Sequence, residues 1–272
     1  MKSNKLENRL RQFYWNKQEY INIAKAQSIN TKNSYWMKIL KNKAKGKKVL
    51  DVGCGDGTRL KQLVDKKGQF YGLEISKLAL SLAQKKYTDI KFVMANAAAI
   101  PFQNSYFDLV YSAYALEHFT SPQKAINEMI RVTKGGGEIV LIAPNYGSPL
   151  IHSPFGNKPR FIDLLLICIS EINNIFKKNR GLKWEKVQPR FRSSIIADDD
   201  IVNKPYLLSL VRYLKYKSLS PTFISSGFEK DYLEISNLII KSIYLFFNKL
   251  KLTKLYPIKY WGPLIFVVVE KS

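Results

Sequence analysis

From residue 48 onward, short apolar stretches alternate with helix-like ones, and this rhythm restricts the fold more than any other feature of the sequence. "KVLDVG" (48–53), "QFYGLEI" (69–75), "IKFVMA" (90–95), "FDLVYSA" (107–113) and "GEIVLIAP" (137–144) read as strands. They are rich in Val, Ile, Leu and Phe and mostly lack polar alternation, so both faces of each strand are expected to be covered. Helical stretches at about 57–66, 76–87 and 121–133 fall between them. Strand and helix in succession make a parallel sheet with helices packed on it. The third helix opens with Ser121 and Pro122 and carries Ala125, Ile126, Met129 and Ile130 on one face. The run Lys134-Gly135-Gly136-Gly137 is expected to end it. Further on, "SPTFISSGFEKDYLEI" (220–235) reads as a helix, a Gly-Phe turn and a strand. A helical segment (236–252) and a last strand, "PLIFVVVEK" (263–271), follow.

The first strand runs into "VLDVGCGDG" (49–57), which places Gly53, Gly55 and Gly57 between a strand and a helix. Glycine there permits a left-handed backbone and removes the Cβ that would hold a ligand away. The helix start beyond it offers free N–H groups. About twenty residues on, Glu74 closes the second strand, where a carboxylate can accept hydrogen bonds from both hydroxyls of a ribose. Glycine loop and acid together point to an adenosine-type cofactor.

Composition bounds the rest. An apolar fraction of 46% over 272 residues is ample for a packed core. Two cysteines, Cys54 and Cys168, make no disulfide framework and no metal-type pair. The start of the chain lacks the apolar core of a signal peptide, and no run of about 18 uncharged apolar residues appears. A cytoplasmic protein is therefore expected. The net charge is +23 and lies in the flanks: 13 basic against 2 acidic residues over 1–50, and 20 against 10 over 145–272. The middle of the chain, with 11 against 9, is nearly neutral. Such a field attracts nucleic acid, an anionic membrane or an anionic substrate.

"VLDVGCGDG", "YGLEIS", "VMANAAAIPF", "FDLVYSAYALEHF" and "EMIRVTKGGGEIVLIAPN" occur in the order and spacing of the class I S-adenosylmethionine-dependent methyltransferases. The set most resembles the branch that methylates small molecules, lipids and sugars. A nicotinamide dehydrogenase would usually place Gly where this chain has Thr58. The resemblance implies an α/β fold with a Rossmann-like, seven-stranded, mostly parallel sheet, helices on both faces and an inserted lid. Its last strand would be antiparallel beside the fifth. The divisions expected are a basic helical region (1–44), a cofactor-binding core (45–145), an inserted lid (146–217) and a C-terminal completion of the sheet (218–272).

By the same resemblance, S-adenosyl-L-methionine is the cofactor. Asp51 with the backbone of Gly53, Cys54 and Gly55 would hold its methionine portion, with Gly57 completing the loop. Glu74 would take the ribose and Ile75 would lie against the adenine. Asn96 and Ala97 stand where the family commonly has Asp-Ala reading the adenine amino group, and a carboxamide oxygen can still accept that N–H. Ser112 and Ala113 would end the fourth strand beside the sulfonium. A hydroxyl acceptor also needs a base. The two histidines, His118 in "ALEHF" and His152 in "PLIHSPFG", both follow strands at the carboxyl end of the sheet and are the candidates. Glu117 is a third. No metal is expected.

The acceptor expected is a small organic molecule: a lipid, a quinone-like compound or a lipid-linked sugar. Base-methylating enzymes resemble one another in a Pro-Pro-aromatic motif after the fourth strand. This chain reads "SAYALEH" there, which disfavours nucleic acid. An RNA-modifying enzyme, and a non-catalytic protein of the same fold, remain the alternatives. "RFIDLLLICISEINNIFKK" (160–178) is apolar for most of its first half and basic at its end, "SNLIIKSIYLFFNKLKLTK" (236–254) reads as a basic amphipathic helix, and "KLYPIKYWGP" (254–263) adds aromatics beside lysines. Helices of this kind lie in membrane interfaces, so peripheral contact with an anionic membrane is a further expectation.

Overall fold

The computed structural model describes residues 2–148, 181–226 and 262–272, with Tyr260 and isolated positions at 162, 169, 242, 245 and 246. Five strands run parallel: β1 (Lys48–Val52), β2 (Gln69–Glu74), β3 (Lys91–Met94), β4 (Phe107–Ala113) and β5 (Thr133–Pro144). Glu185–Lys186 (β6) and Asn203–Lys204 (β7) form a separate two-stranded ladder. β8 (Pro221–Ser225) and β9 (Leu264–Glu270) complete the main sheet, whose order is β3-β2-β1-β4-β5-β9-β8. β9 is antiparallel to both of its neighbours, with Val267 between Leu141 and Ile224. The expected seven-stranded, mostly parallel sheet is therefore present, with the last strand beside the fifth.

The apolar runs do not alternate because each face of the sheet has its own cover. Along β5, Ile139, Leu141 and Ala143 join one buried cluster, while Val140 and Ile142 join the other. The first face is closed by α6 (Pro122–Val132), through Ala125, Ile126, Met129 and Val132. It is also closed by α7 (Leu207–Tyr216), through Leu207, Leu210, Val211 and Leu214. The second face is closed by α3 (Tyr35–Ala44), through Trp36, Met37, Leu40 and Ala44. Ser34 caps α3 by accepting from the Met37 N–H, and Lys41 and Lys43 suit its C-terminal end. Burying an apolar side chain of this size contributes about 1.5–3 kcal/mol, so α3 and α7 are parts of the core.

Three local expectations are corrected. The glycine run at 135–137 does not follow a helix end: α6 stops at Val132, and β5 begins at Thr133, whose hydroxyl donates to the Met129 carbonyl at 2.7 Å. The glycines lie where β5 slips register against β4, between the pairs Phe107–Thr133 and Leu109–Glu138, which is a bulge. The stretch from Pro221 to Ser225 is a strand, because Thr222, Phe223 and Ile224 are strand formers and β9 offers them an edge. The Gly227-Phe228 turn and 229–235 lie outside the described residues. The helix expected at 57–66 is a single turn, α4 (Thr58–Lys61).

Ahead of α3 come α1 (Lys2–Leu10), a wide π-helical turn at Arg11–Trp15 and α2 (Gln18–Asn30). Leu10, Tyr14 and Trp15 pack with Val202, joining the start of the chain to the segment after β6. α5 (Lys77–Lys86), capped by Ser76, covers β2 and β3.

Candidate active site

Strand order reverses between β1 and β4, and open α/β sheets bind ligands outside the carboxyl ends of the strands at such a point. A cleft of roughly 1040 Å³, counting its open mouth, lies there. Its floor is the glycine loop. The N–H groups of Gly53 and Cys54 donate to the Leu73 carbonyl at 2.8 and 3.1 Å, which holds the loop over β2. Gly53 and Gly55 have φ of +85° and +56°. A Cβ at Gly53 would stand 2.6 Å from the Ala115 Cβ, whereas at Gly55 it would meet nothing within 4 Å. The backbone at Gly55 is thus bare toward the cleft.

Glu74 gathers the loop. One carboxylate oxygen accepts from the Gly55 N–H at 2.9 Å, and the other accepts from Ile75 and Ser76, each at 2.8 Å. A carboxylate offers about four acceptor positions, so backbone donors use most of them. Further along the rim, the Asn96 side chain accepts from the Ala98 N–H at 2.8 Å and donates to the Glu7 carboxylate at 2.6 Å. Glu7 comes from α1 and is itself buried, with Arg11 on its other oxygen at 2.6 Å. Where the family commonly carries an acid, this chain has an amide with an acid brought against it from a distant helix.

Of the residues expected at the site, Gly53, Cys54, Gly55, Glu74, Ile75, Asn96, Ala97 and His118 line this cleft. Asp51, Gly57, Ser112 and Ala113 are not among its lining residues. Asp51 is buried and accepts from the Tyr111 hydroxyl at 2.7 Å; burial pushes its pKa up to about 7. Gly57, with φ +74°, caps α4 against Phe92. The Ser112 hydroxyl donates to the Val52 carbonyl at 2.9 Å, and the Ala113 carbonyl receives Arg59 Nη1 at 2.8 Å. His152 lies outside the described residues.

Several lining residues escape a reading of the sequence. Arg59 reaches the cleft from α4, is buried, and has no hydrogen-bond partner on Nε among the described residues. Trp15 and Tyr20 come from the N-terminal helices. Asp200, fully buried, lies 2.9 Å from His118 Nδ1 through Oδ2, and the same oxygen accepts from Trp15 Nε1 at 2.8 Å and the Tyr20 hydroxyl at 2.7 Å. Burial alone would drive the imidazole of His118 neutral, but Asp200, Glu117 and Asp198 outweigh it and lift its pKa to about 10. A histidine that keeps its proton at neutral pH is not a ready base. Burial raises the neighbouring Glu117 to about 7.

These residues fit an adenosyl sulfonium carrying an amino acid. The loop can be approached closely, a carboxylate stands one strand away, and a buried guanidinium has donor capacity to spare. Residues 50–141 match the profile of the family described as a methyltransferase domain. The matched stretch holds the glycine loop, Glu74, Asn96 and His118. Among curated proteins it is similar to a demethylmenaquinone methyltransferase of Renibacterium salmoninarum, 36% identical over 35% of this chain and 40% of the relative. It is also similar to a ubiquinone/menaquinone biosynthesis C-methyltransferase of Shewanella piezotolerans, 27% identical over 68% of this chain and 67% of the relative. The chain thus spans between two fifths and two thirds of the length of these relatives. Among solved structures, an S-adenosylmethionine-dependent methyltransferase from Mesorhizobium loti matches 88% of this chain and 100% of its own with a TM-score of 0.57. At 13% identity it shows the fold alone. Among the described residues no helix is long and apolar enough to cross a membrane.

Proposed function

We propose that the protein transfers a methyl group from S-adenosylmethionine to a small organic acceptor, and that the acceptor is a quinone-like compound. The observation that carries this is the meeting of Gly53, Cys54, Gly55, Glu74 and Asn96 along one cleft inside the matched domain. The cofactor supplies a methyl group on a sulfonium, which is a good leaving group. The backbone of Gly53 to Gly55 and the free guanidinium edge of Arg59 would hold its methionine portion. Glu74 would exchange backbone donors for the ribose hydroxyls, with Ile75 against the adenine. Asn96 and Glu7 together would read the adenine amino group, the carboxylate of Glu7 standing in for the acid missing at 96. Asp51 supports the loop from below through Tyr111. The acceptor class is suggested by the names of the two relatives and by the apolar and aromatic walls of the cleft, with Trp15, Tyr114 and Phe119 facing it.

Calorimetric titration with S-adenosylhomocysteine should give saturable one-to-one heat. A screen with labelled methyl donor over lipid, nucleic-acid, protein and soluble-metabolite fractions should place the label in the quinone-containing lipid fraction. Label in RNA would favour the alternative drawn from the basic flanks. The apolar and basic stretches at 160–178 and 236–254 support, from sequence, a peripheral contact with anionic lipid. Binding to anionic vesicles that is unaltered in Lys241→Glu and Lys251→Glu would remove that reading.

A further inference from the structure

The group left over by this account is the buried charge cluster at the far side of the cleft. Trp15 and Tyr20 near the start of the chain, and His118 about a hundred residues on, meet on a single oxygen of the distant Asp200, Oδ2, at 2.7–2.9 Å. A fully buried carboxylate needs hydrogen bonds and a counter-charge to remain ionised; Trp15 and Tyr20 donate to it, and the imidazole lies against it as an ion-pair partner. Two of the three are neutral, so the imidazole is the partner that balances its charge. The other ring nitrogen, Nε2, has Glu117 Oε1 at 3.9 Å, beyond hydrogen-bond distance, and His118 lines the cleft. The groups facing the ring are Glu117 on its own turn, Asp198 and Asp200 from the segment before β7, and Tyr20 from α2. Tyr146, just after β5, also feels Glu117, Asp198 and Asp200. Carboxylates therefore surround the ring, and Arg192 is tied to Asp199 at 3.3 Å on the outer side.

We propose that Asp200 is a positioning residue that fixes His118 as an imidazolium with Nε2–H presented to the cleft, so that the site selects acceptors offering an oxyanion, such as a phenolate or enolate. This rests on the methyltransferase reading above and deepens it by naming the acceptor chemistry. A charged donor lowers the pKa of a bound phenol or enol, so more of the acceptor is present as the oxyanion, the form that is nucleophilic at oxygen or at the ortho carbon toward the sulfonium methyl. A neutral alcohol gains less from such a contact than an oxyanion does, and a cationic amine is repelled by it. Trp15 and Tyr20 bring the N-terminal helices into the same arrangement, so the cluster forms only when α2 is docked. The acid run "DDD" at 198–200 in an otherwise basic flank is then explained: it creates the pocket of negative charge that an imidazolium requires.

The chain has only two histidines, which makes the test direct. In a His152→Asn background, imidazole NMR follows the titration of His118 alone. His118 should remain protonated at least two pH units above an ordinary histidine, and Asp200→Asn should return it to the ordinary range. Titration of His118 near pH 6.5 in the otherwise native protein would overturn the proposal and needs no further variant to fold. Para-nitrophenol, whose anion alone absorbs in the visible, is the acceptor probe, added with S-adenosylhomocysteine. The native protein should bind it as the anion, and Asp200→Asn should weaken that binding tenfold or more. If Asp200→Asn does not fold, as judged by circular dichroism, His118→Gln supplies the same comparison. Anion binding equal in the native and substituted proteins would overturn the proposal. Failure of S-adenosylhomocysteine to bind at all would defeat the methyltransferase reading instead, while the NMR titration would still report on the pair.

Discussion

Alanine at Gly53 and alanine at Gly55 should part the two jobs of the loop, keeping the chain folded and admitting the cofactor. Both positions have left-handed φ, +85° and +56°, and a residue with a Cβ loses about 1–2 kcal/mol there. At Gly53 the new methyl would also lie 2.6 Å from the Ala115 Cβ, well inside the 3.5–4.0 Å of favourable carbon contact. Overpacking of that kind adds about 1–3 kcal/mol. Gly53→Ala should therefore cost about 2–5 kcal/mol and Gly55→Ala about 1–2. In a domain of this size that means melting lower by roughly 10 °C in the first and roughly 4 °C in the second. Binding should run the opposite way relative to stability. The Gly55 methyl meets nothing in the protein and intrudes where a ligand would approach, so S-adenosylhomocysteine affinity should fall at least tenfold, about 1.4 kcal/mol. Differential scanning calorimetry and isothermal titration measure the two quantities on the same samples. Equal melting temperatures would refute the contact argument at Gly53, and native affinity in Gly55→Ala would refute the cradle.

Glu74→Ala should lower S-adenosylhomocysteine affinity by tenfold or more, since the ribose loses its acceptor and the Gly55, Ile75 and Ser76 donors lose theirs; titration calorimetry reads it. Asn96→Asp alone would set two carboxylates 2.6 Å apart and weaken both stability and binding, whereas adding Glu7→Gln should restore them. That double-mutant cycle should show a coupling of about 1–2 kcal/mol, and simple additivity would remove Glu7 from the site. For pH, Asp51 and Glu117 are each held up to about 7 in the folded chain. Both states are protonated well below pH 4, and the folded state alone holds these protons between there and 7, so stability should decline as pH rises through that window. His118 acts in the other direction and later, its contribution being complete below about 6.5 and lost as pH passes about 10. Urea midpoints measured across pH should show both declines, with Glu117→Gln flattening the first and His118→Gln the second.

The strands were legible because burial on both faces removes polar residues from them, and that absence survives in the sequence of β1, β4, β5 and β9. The segment at 220–226 was not, since Ser220-Pro221 resembles the Ser121-Pro122 start of α6. Proline also opens an edge strand without losing a ladder bond, and only the neighbour β9, far along the chain, decides between the two. The triple glycine at 135–137 announces a break, but its nature as a slip in register depends on pairing with β4. The floor of the site was legible for a similar reason to the strands: Gly53, Gly55, Glu74 and Asn96 are local features at strand ends. Glu7, Arg59 and Asp200 have no such local mark, because each acts through a contact made across the fold. The one available hint was the acid run at 198–200 in a basic flank.

The placement of β9 between β5 and β8 has a consequence for how the molecule is made. Until residues 264–270 arrive, β5 presents a bare row of backbone donors and acceptors at what will be the middle of the sheet, and β8 has no other strand to pair with among the described residues. Among the described residues, no segment that precedes β9 pairs with that edge of β5, so a growing chain exposes it until β9 is made. Cooperative assembly waits for residues 264–270, and disrupting them would leave two raw edges and a protein prone to aggregate.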